Sequence, residues 1–461
     1  MNAPANGERP SKARSGGAYP PGLIIAAPAS GSGKTVVTLG LLRHLANSGV
    51  SAGPAKAGPD YIDPAFHAAA SGRTCFNLDP WAMRTETLAA AARASLGDAD
   101  MVVCEGVMGL FDGAASGIGS TADLAAATGW PVVLVVDVKA QGASAAAVVR
   151  GFVHHRAGVS VEGVIFNRTG SPRHEMILRD ACAAAVPGVR VLGCLPRDSH
   201  LALPERHLGL VQAGEHGDLE TFLEGAAALL GERLDVKALL ALTSSSDTED
   251  SAPDARAPAL LAPLAPLGQR IAVARDAAFA FQYPQVIEGW RRAGAEVDFF
   301  SPLADEGPGD AADGVYLPGG YPELHAGRLA ANGRFLSGLH AAQRRGAAVY
   351  GECGGYMVLG RVLIDADGAH HVMSGLLPLV TSFTGRALHL GYRRVRLASD
   401  GPLGQKGAAF RGHEFHYART VEEGPGQHLF ECEDATGAGL GAVGLTAGRI
   451  AGSFIHLIDR E

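Results

Sequence analysis

The sequence predicts an α/β protein of two doubly wound domains, and three observations predict it. A short apolar run enters a loop of small residues that closes on Gly-Lys-Thr and opens a helix. Short apolar runs then alternate with alanine-rich segments of helical spacing as far as Pro196. After a polar, proline-punctuated stretch the alternation restarts and passes through a Gly-x-Cys-x-Gly turn. Strands alternating with helices argue for parallel sheets covered on both faces, with ligands along the carboxyl edge. The expected division is a disordered tail at 1–20, a first domain at 21–242, a linker at 243–268 and a second domain at 269–461.

Length and composition set the outer limits. A chain of 461 residues suits two or three domains, and 47% hydrophobic residues give ample core. The net charge of −8 offers no electrostatic case for nucleic acid or an anionic membrane, so neither partner is expected. Six cysteines are scattered without a Cys-x-x-Cys pair, which suits reduced thiols in the cytoplasm. The tail lacks the apolar core of a signal peptide. The best apolar run, Val132 to Val138, is too short to span a bilayer and contains Asp137.

The first strand, Leu23 to Ala27, leads into Ser30 to Gly33 and a helix from Val36 to Ala46. Strand, glycine-rich loop, then Gly-Lys-Thr at a helix start is the context of a phosphate-binding loop. Backbone N–H groups around Gly31, Ser32 and Gly33 would converge on a polyphosphate. Lys34 would reach its β- and γ-phosphates, and the Thr35 hydroxyl would ligate Mg²⁺. Pro28 replaces the first glycine of the pattern and removes one N–H.

Two Gly-Pro steps follow, with Lys56, Asp60, Asp63 and His67 between and beyond them. Lys56 suits phosphate charge; Asp60 or Asp63 suits magnesium or substrate; a solvated turn is the competing reading. Met101 to Glu105 reads as a buried strand ending in a carboxylate, followed by a glycine-rich turn carrying Asp112. An acid at the end of a parallel strand beside a phosphate loop is the expected second magnesium contact, which favours Glu105 over Asp112. Strands at 130–137, 159–167 and 189–196 complete the series. Asn167, at the mouth of the sheet, suits recognition of a base. Leu203 to Leu210 reads as a polar turn.

In the second half, Arg270 to Asp276 opens a strand–helix–strand unit that ends at Phe300. Phe279, Phe281 and Tyr283 gather after its first strand and read as core aromatics before they read as a platform for a flat ligand. Gly319 and Gly320 form a double-glycine turn whose N–H groups could stabilise an oxyanion. Cys353, between glycines and between a strand and a helix, has the setting of a nucleophile elbow, with Gly354 beside it. The helix N-terminus is expected to lower its pKa toward the thiolate. His456, after a short apolar run, can serve as its base. His413 and His416 supply only two ligands with no supporting helix, so a metal is not expected there.

The runs Gly-Pro-Asp-Tyr-Ile-Asp-Pro, Pro-Glu-Arg-His-Leu-Gly-Leu, Gly-Glu-Cys-Gly-Gly-Tyr, Arg-Gly-His-Glu-Phe-His-Tyr and Ser-Phe-Ile-His occur in that order along nearly the whole chain. Together they resemble the cobyrinate/hydrogenobyrinate a,c-diamide synthase family. That family joins a dethiobiotin-synthetase-like P-loop domain to a class I glutamine amidotransferase domain of flavodoxin-like fold. The resemblance implies that Cys353 is the glutaminase nucleophile and His456 its base. Lys34, Thr35 and Glu105 match ATP and magnesium positions. Asp60, Tyr61, Ile62, Asp63 and Asp112 match the region near the substrate and the transferred phosphate.

The implied reaction amidates carboxylates c and a of a corrinoid tetrapyrrole in cobalamin biosynthesis. It uses ATP, Mg²⁺ and glutamine, and passes through acyl phosphates along a shielded ammonia route. A homodimer is one option for the assembly. Ordinary triads carry Glu two residues after the His; here Ile458 stands there, and Glu414 is offered as a stand-in. The rivals are cobyric acid synthase, expected to lack Gly-Pro-Asp-Tyr-Ile-Asp-Pro, and nickel-sirohydrochlorin a,c-diamide synthase. Cytidine triphosphate synthase normally keeps the missing Glu. From another class, a P-loop regulatory ATPase with an inactive amidotransferase domain would carry a signature lysine where Ala29 stands.

Overall fold

The structure, a computed structural model, describes residues 19–198, 205–206, 209–210, 212–215, 217–243 and 262–461. Nearly all of the expected tail, half of the Leu203–Leu210 turn, and positions 244–261 of the expected linker lie outside the described residues.

Seven strands of the first half form one sheet in which every pairing is parallel. Its spatial order is Phe76–Leu78, Ala52–Ala57, Met101–Glu105, Gly22–Ala26, Val132–Asp137, Val161–Thr169, Arg190–Pro196. The central strands are buried on both faces, which is why they read as unbroken apolar runs. The chain leaving Gly22–Ala26 turns to one side of the sheet, and the chain leaving Met101–Glu105 crosses to the other. The crevice at this switch point places the loop before Lys34 beside Glu105.

The second half departs from a purely doubly wound sheet. Strands Glu296–Phe300, Arg270–Ala274, Gly314–Leu317, Ala348–Glu352 and Ile450–Ser453 pair in parallel. Beyond them the same sheet runs on through five antiparallel strands to make ten in all. A four-stranded sheet, with Val362–Ile364 and Leu379–Ser382 at its centre, packs alongside. The antiparallel extension carries Tyr392 and His413 toward the first half and brings Ile455–Arg460 back to the sheet's far edge.

One continuous apolar cluster runs from Leu23 and Val133 through Tyr61 to Phe281, Tyr350 and Leu457, so the two halves share a core. Polar contacts fix their relation. The Arg84 side chain pairs with the buried Asp459 carboxylate at 2.8 Å, and the Arg84 backbone N–H donates to the same carboxylate at 2.8 Å. Tyr392 donates to the buried Asp79 at 2.8 Å, and the Arg411 guanidinium donates to the Trp81 carbonyl at 2.7 Å.

Candidate active sites

The loop after the first strand turns through Gly31 and Gly33, at φ +76° and +94°, before the helix Lys34–Asn47 begins. Glycine is needed there because a side chain is strained in the left-handed region. Lys34 is buried and donates to the Met108 carbonyl at 2.6 Å. Met108 itself adopts φ +48°. The Thr35 hydroxyl donates to Glu105 Oε1 at 2.8 Å. Asn167 donates to the Ser32 carbonyl at 2.9 Å, and Arg168 to that of Gly31 at 3.0 Å, so both brace the loop.

Glu105 is the centre of a buried charge network. Lys56 Nζ lies 3.0 Å from its Oε1 and 2.5 Å from Asp63 Oδ2, and His67 Nε2 lies 2.7 Å from its Oε2. Burial alone would raise the Glu105 pKa; Lys56 and His67 outweigh it and hold the carboxyl well below its usual range. Burial likewise works against the Lys56 cation, and Asp63 and Glu105 reverse the effect. Asp60 Oδ1 accepts from the N–H groups of Ile62 and Asp63 at the turn before the helix Asp63–Ser71. Asp112 accepts from the Gly109 N–H at 3.0 Å and shapes the turn after Glu105.

The second centre forms where Ala348–Glu352 meets the helix Gly354–Leu359. Cys353 at the junction has φ +47°, the sharp turn expected of a nucleophile elbow. A methyl group added at Gly319 would stand 3.1 Å from His456 Nε2 and 3.2 Å from Cys353 Cβ, so both residues border one small space above that backbone. A Cβ at Gly354 would stand 3.1 Å from the Gly320 nitrogen, which puts the two glycine turns side by side.

Two expectations are corrected here. Cys353 is buried, and burial with the nearby Glu323 carboxylate pushes its thiol well above the ordinary range, overriding the helix terminus. Glu414 does not orient His456. Its strand pairs His413 with His456, so Glu414 faces the other way, 2.7 Å from Arg393 and 2.9 Å from His416. Those contacts outweigh burial and hold its pKa at about 2. On that outer face His389, Glu414 and His416 bring ligand atoms within 4.8 Å of one another, and His413 is not among them.

Between the centres lies the loop 58–63. Tyr61 is buried, its ring 4.4 Å from that of Phe281 and 4.7 Å from the His456 imidazole. Tyr283 clamps the loop by donating to the Pro59 carbonyl at 2.8 Å. Phe281 and Tyr283 are therefore junction aromatics packed against this loop. A cavity of about 630 Å³ opens beside the same loop, lined by Asp60, Tyr61 and Asp63 from the first half and Tyr392, His413 and Phe415 from the second.

Sequence reasoning missed the contribution of Tyr392, which carries no local motif, and of Phe415, which stands in the Arg-Gly-His-Glu-Phe-His-Tyr run; both reach the cavity through strand pairing. It also missed Glu352, although the signal was present. A carboxylate ending a buried strand marked Glu105, and Ala348–Glu352 ends in the same way.

Comparison with known proteins agrees with this geometry. Residues 23–211 match the CobQ/CobB/MinD/ParA nucleotide binding domain, and residues 270–461 match the CobB/CobQ-like glutamine amidotransferase domain. Fold and sites thus define an enzyme of the ligase type that couples a nucleotide-binding half to a glutamine amidotransferase half. A hydrogenobyrinate a,c-diamide synthase of Sinorhizobium sp is 56% identical over 442 residues, covering 95% of this chain and 98% of that protein. Those of Brucella abortus and Rhodobacter capsulatus are 57% and 54% identical, again over 95% of this chain, and over 98% and 99% of those proteins. The chain belongs to the hydrogenobyrinate a,c-diamide synthase family.

Proposed function

We propose that this protein amidates the a- and c-carboxylates of hydrogenobyrinate in cobalamin biosynthesis, using ATP and glutamine. The observation that carries the reading is the loop 58–63. Tyr61 covers the Cys353–His456 centre, and its neighbours Asp60 and Asp63 line the cavity beside the phosphate loop. One residue's thickness separates a source of ammonia from a place where it is consumed.

In the glutaminase half, Cys353 Sγ attacks the side-chain amide carbon of glutamine while its proton passes to His456 Nε2. The tetrahedral oxyanion faces the N–H groups of Gly319, Gly320 and Gly354. Burial lowers the His456 pKa to about 3, so the imidazole is the neutral base at physiological pH. The C–N bond breaks, the imidazolium returns the proton to the leaving nitrogen, and ammonia departs. Water then converts the γ-glutamyl thioester to glutamate.

In the first half, a substrate carboxylate oxygen attacks the γ-phosphorus of ATP; ADP leaves and an acyl phosphate forms. Ammonia attacks the acyl carbon, phosphate is expelled, and the nitrogen gives up a proton to leave the amide. Lys34 and Lys56 place positive charge where the phosphoryl group moves, and Ser32 and Asn167 shape the nucleotide loop. Thr35 and Glu105, two hard oxygen donors 2.8 Å apart, fit a magnesium ion, which would neutralise charge on the β- and γ-phosphates. Asp60, Ile62 and Asp63 hold the tetrapyrrole edge in the cavity, with Asp112 supporting the facing turn. The apolar walls supplied by Tyr392 and Phe415 suit the macrocycle's face.

The test replaces Cys353 by Ser. With glutamine no amide should form; with ammonium salts and ATP, hydrogenobyrinate should still gain two amides by mass. Loss of both activities would sink the division of labour.

A further inference from the structure

In this chain the position two residues after the glutaminase histidine is Ile458, buried in the core, and the alternative carboxylate Glu414 faces away. We infer that Glu352, the residue immediately before the nucleophile, orients His456 from the opposite side and completes the catalytic set as a positioning residue. This rests on the glutaminase reading above.

The geometry is specific. Glu352 is buried at the carboxyl end of Ala348–Glu352, and its Oε2 lies 3.8 Å from His456 Nδ1. The imidazole edge bearing Nε2 faces Gly319 and Cys353, so Nδ1 is the nitrogen free to be held from behind. Neither His456 nitrogen has a hydrogen-bond partner among the described residues, though the ring is fully buried. Such a group calls for a partner, and Glu352 is the carboxylate within 4 Å. Glu352 is itself held in place. Its Oε1 accepts the Leu457 N–H at 3.0 Å, beside the histidine, and its Oε2 accepts the Tyr316 hydroxyl at 2.6 Å. A closure of less than 1 Å turns the 3.8 Å contact into an Nδ1–H···Oε2 hydrogen bond. That bond fixes the tautomer with Nε2 open to the thiol and stabilises the imidazolium as Cys353 loses its proton.

The titratable groups around Glu352 are Tyr316, Tyr350, Tyr283, Cys353 and His456. Burial keeps the three phenols and the thiol neutral, and His456 titrates near 3. Burial raises Glu352 to about 7, so its ionisation is the one expected to shape glutaminase rate near neutrality. His413, His416 and Glu414 act on His456 from the neighbouring strand.

The experiment measures glutamate release against pH, without tetrapyrrole, for the full chain and for Glu352→Gln and Glu352→Asp. The native rate should rise through a limb near pH 7. Glu352→Gln should lose that limb and about 10²-fold or more in kcat with little change in KM, and Glu352→Asp should recover part of both. A Gln variant within threefold of native kcat, or Gln and Asp variants equally slow with the native limb intact, overturns the inference. Should Glu352→Gln fail to fold, Tyr316→Phe decides. Loss of its hydroxyl must move the limb to higher pH, and an unmoved limb refutes the assignment. A native enzyme that releases no glutamate refutes the glutaminase reading itself, whereas glutamate release indifferent to Glu352 refutes this step alone.

Discussion

The ring of Tyr61, from the nucleotide-binding half, lies over the imidazole of His456, from the glutaminase half, with centroids 4.7 Å apart and planes inclined by 29°. Tyr61 thus lines the 630 Å³ cavity and at the same time covers the proposed glutaminase base. In the proposed reaction, ammonia released beneath Tyr61 passes this ring on its way to the cavity.

Tyr61→Ala should open this roof. Glutamate formed per amide formed should rise severalfold above the native ratio, because ammonia escapes before it meets the acyl phosphate. Assaying glutamate and amidated tetrapyrrole in the same reaction reads the ratio directly. A ratio unchanged from native would show that the ring does not guard the passage.

Gly319 is sterically committed. Any side chain there meets the His456 ring and Cys353 Cβ. Gly319→Ala should cut glutaminase kcat by roughly 10²-fold, as expected when a displacement of about 1 Å misaligns reacting groups. Ammonia-dependent synthesis, measured alongside, should fall far less.

Lys34→Ala removes the cation nearest the expected phosphates. Loss of one preorganised electrostatic group typically costs about 3–4 kcal/mol, or 10²–10³-fold in rate. Synthesis should fall by about that factor with either nitrogen source, while glutamate release without tetrapyrrole persists.

Arg84→Ala would leave the Asp459 carboxylate buried without its guanidinium. Breaking a buried pair by removing one partner costs on the order of 3–5 kcal/mol. With one third of the arginine side chain exposed, the lower end applies after screening. Thermal melts should show the loss, and Asp459→Asn should relieve part of it in the double variant.

Stability should also carry the mark of Glu352. Its folded pKa is raised to about 7 from an ordinary 4.5, so the folded state holds a proton that the unfolded chain has released. Stability from this group is present below pH about 4.5 and falls as pH rises toward 7. Melting temperatures of Glu352→Gln, relative to native, should therefore climb across that window and level off above it. A constant difference would mean that Glu352 is not so perturbed.

The chemistry of each half was legible because each motif is local. A strand, a glycine turn and a helix start fit within about 15 residues, and the residues that do the work are dictated by that turn. Glu105 ends a strand of a parallel sheet, Cys353 directly follows one, and Lys34 and Thr35 open the helix reached by the loop after another, all at the carboxyl edge where the topology puts ligands. Glu414 failed as a guess for the opposite reason. Which side of a strand a residue faces depends on register, and register set His413, not Glu414, beside His456.

The amino-acid sequence by itself determined the two nucleotide and thiol centres, their order along the chain, and the parallel core under each, since short-range sterics and apolar periodicity encode these. Only the tertiary structure decided that Tyr61 covers His456, that Tyr392 and Phe415 wall a shared cavity, and that Glu352 stands behind the imidazole. Those relations join residues up to several hundred positions apart, and no local rule of turn or helix specifies which surfaces meet when two sheets bury a common core.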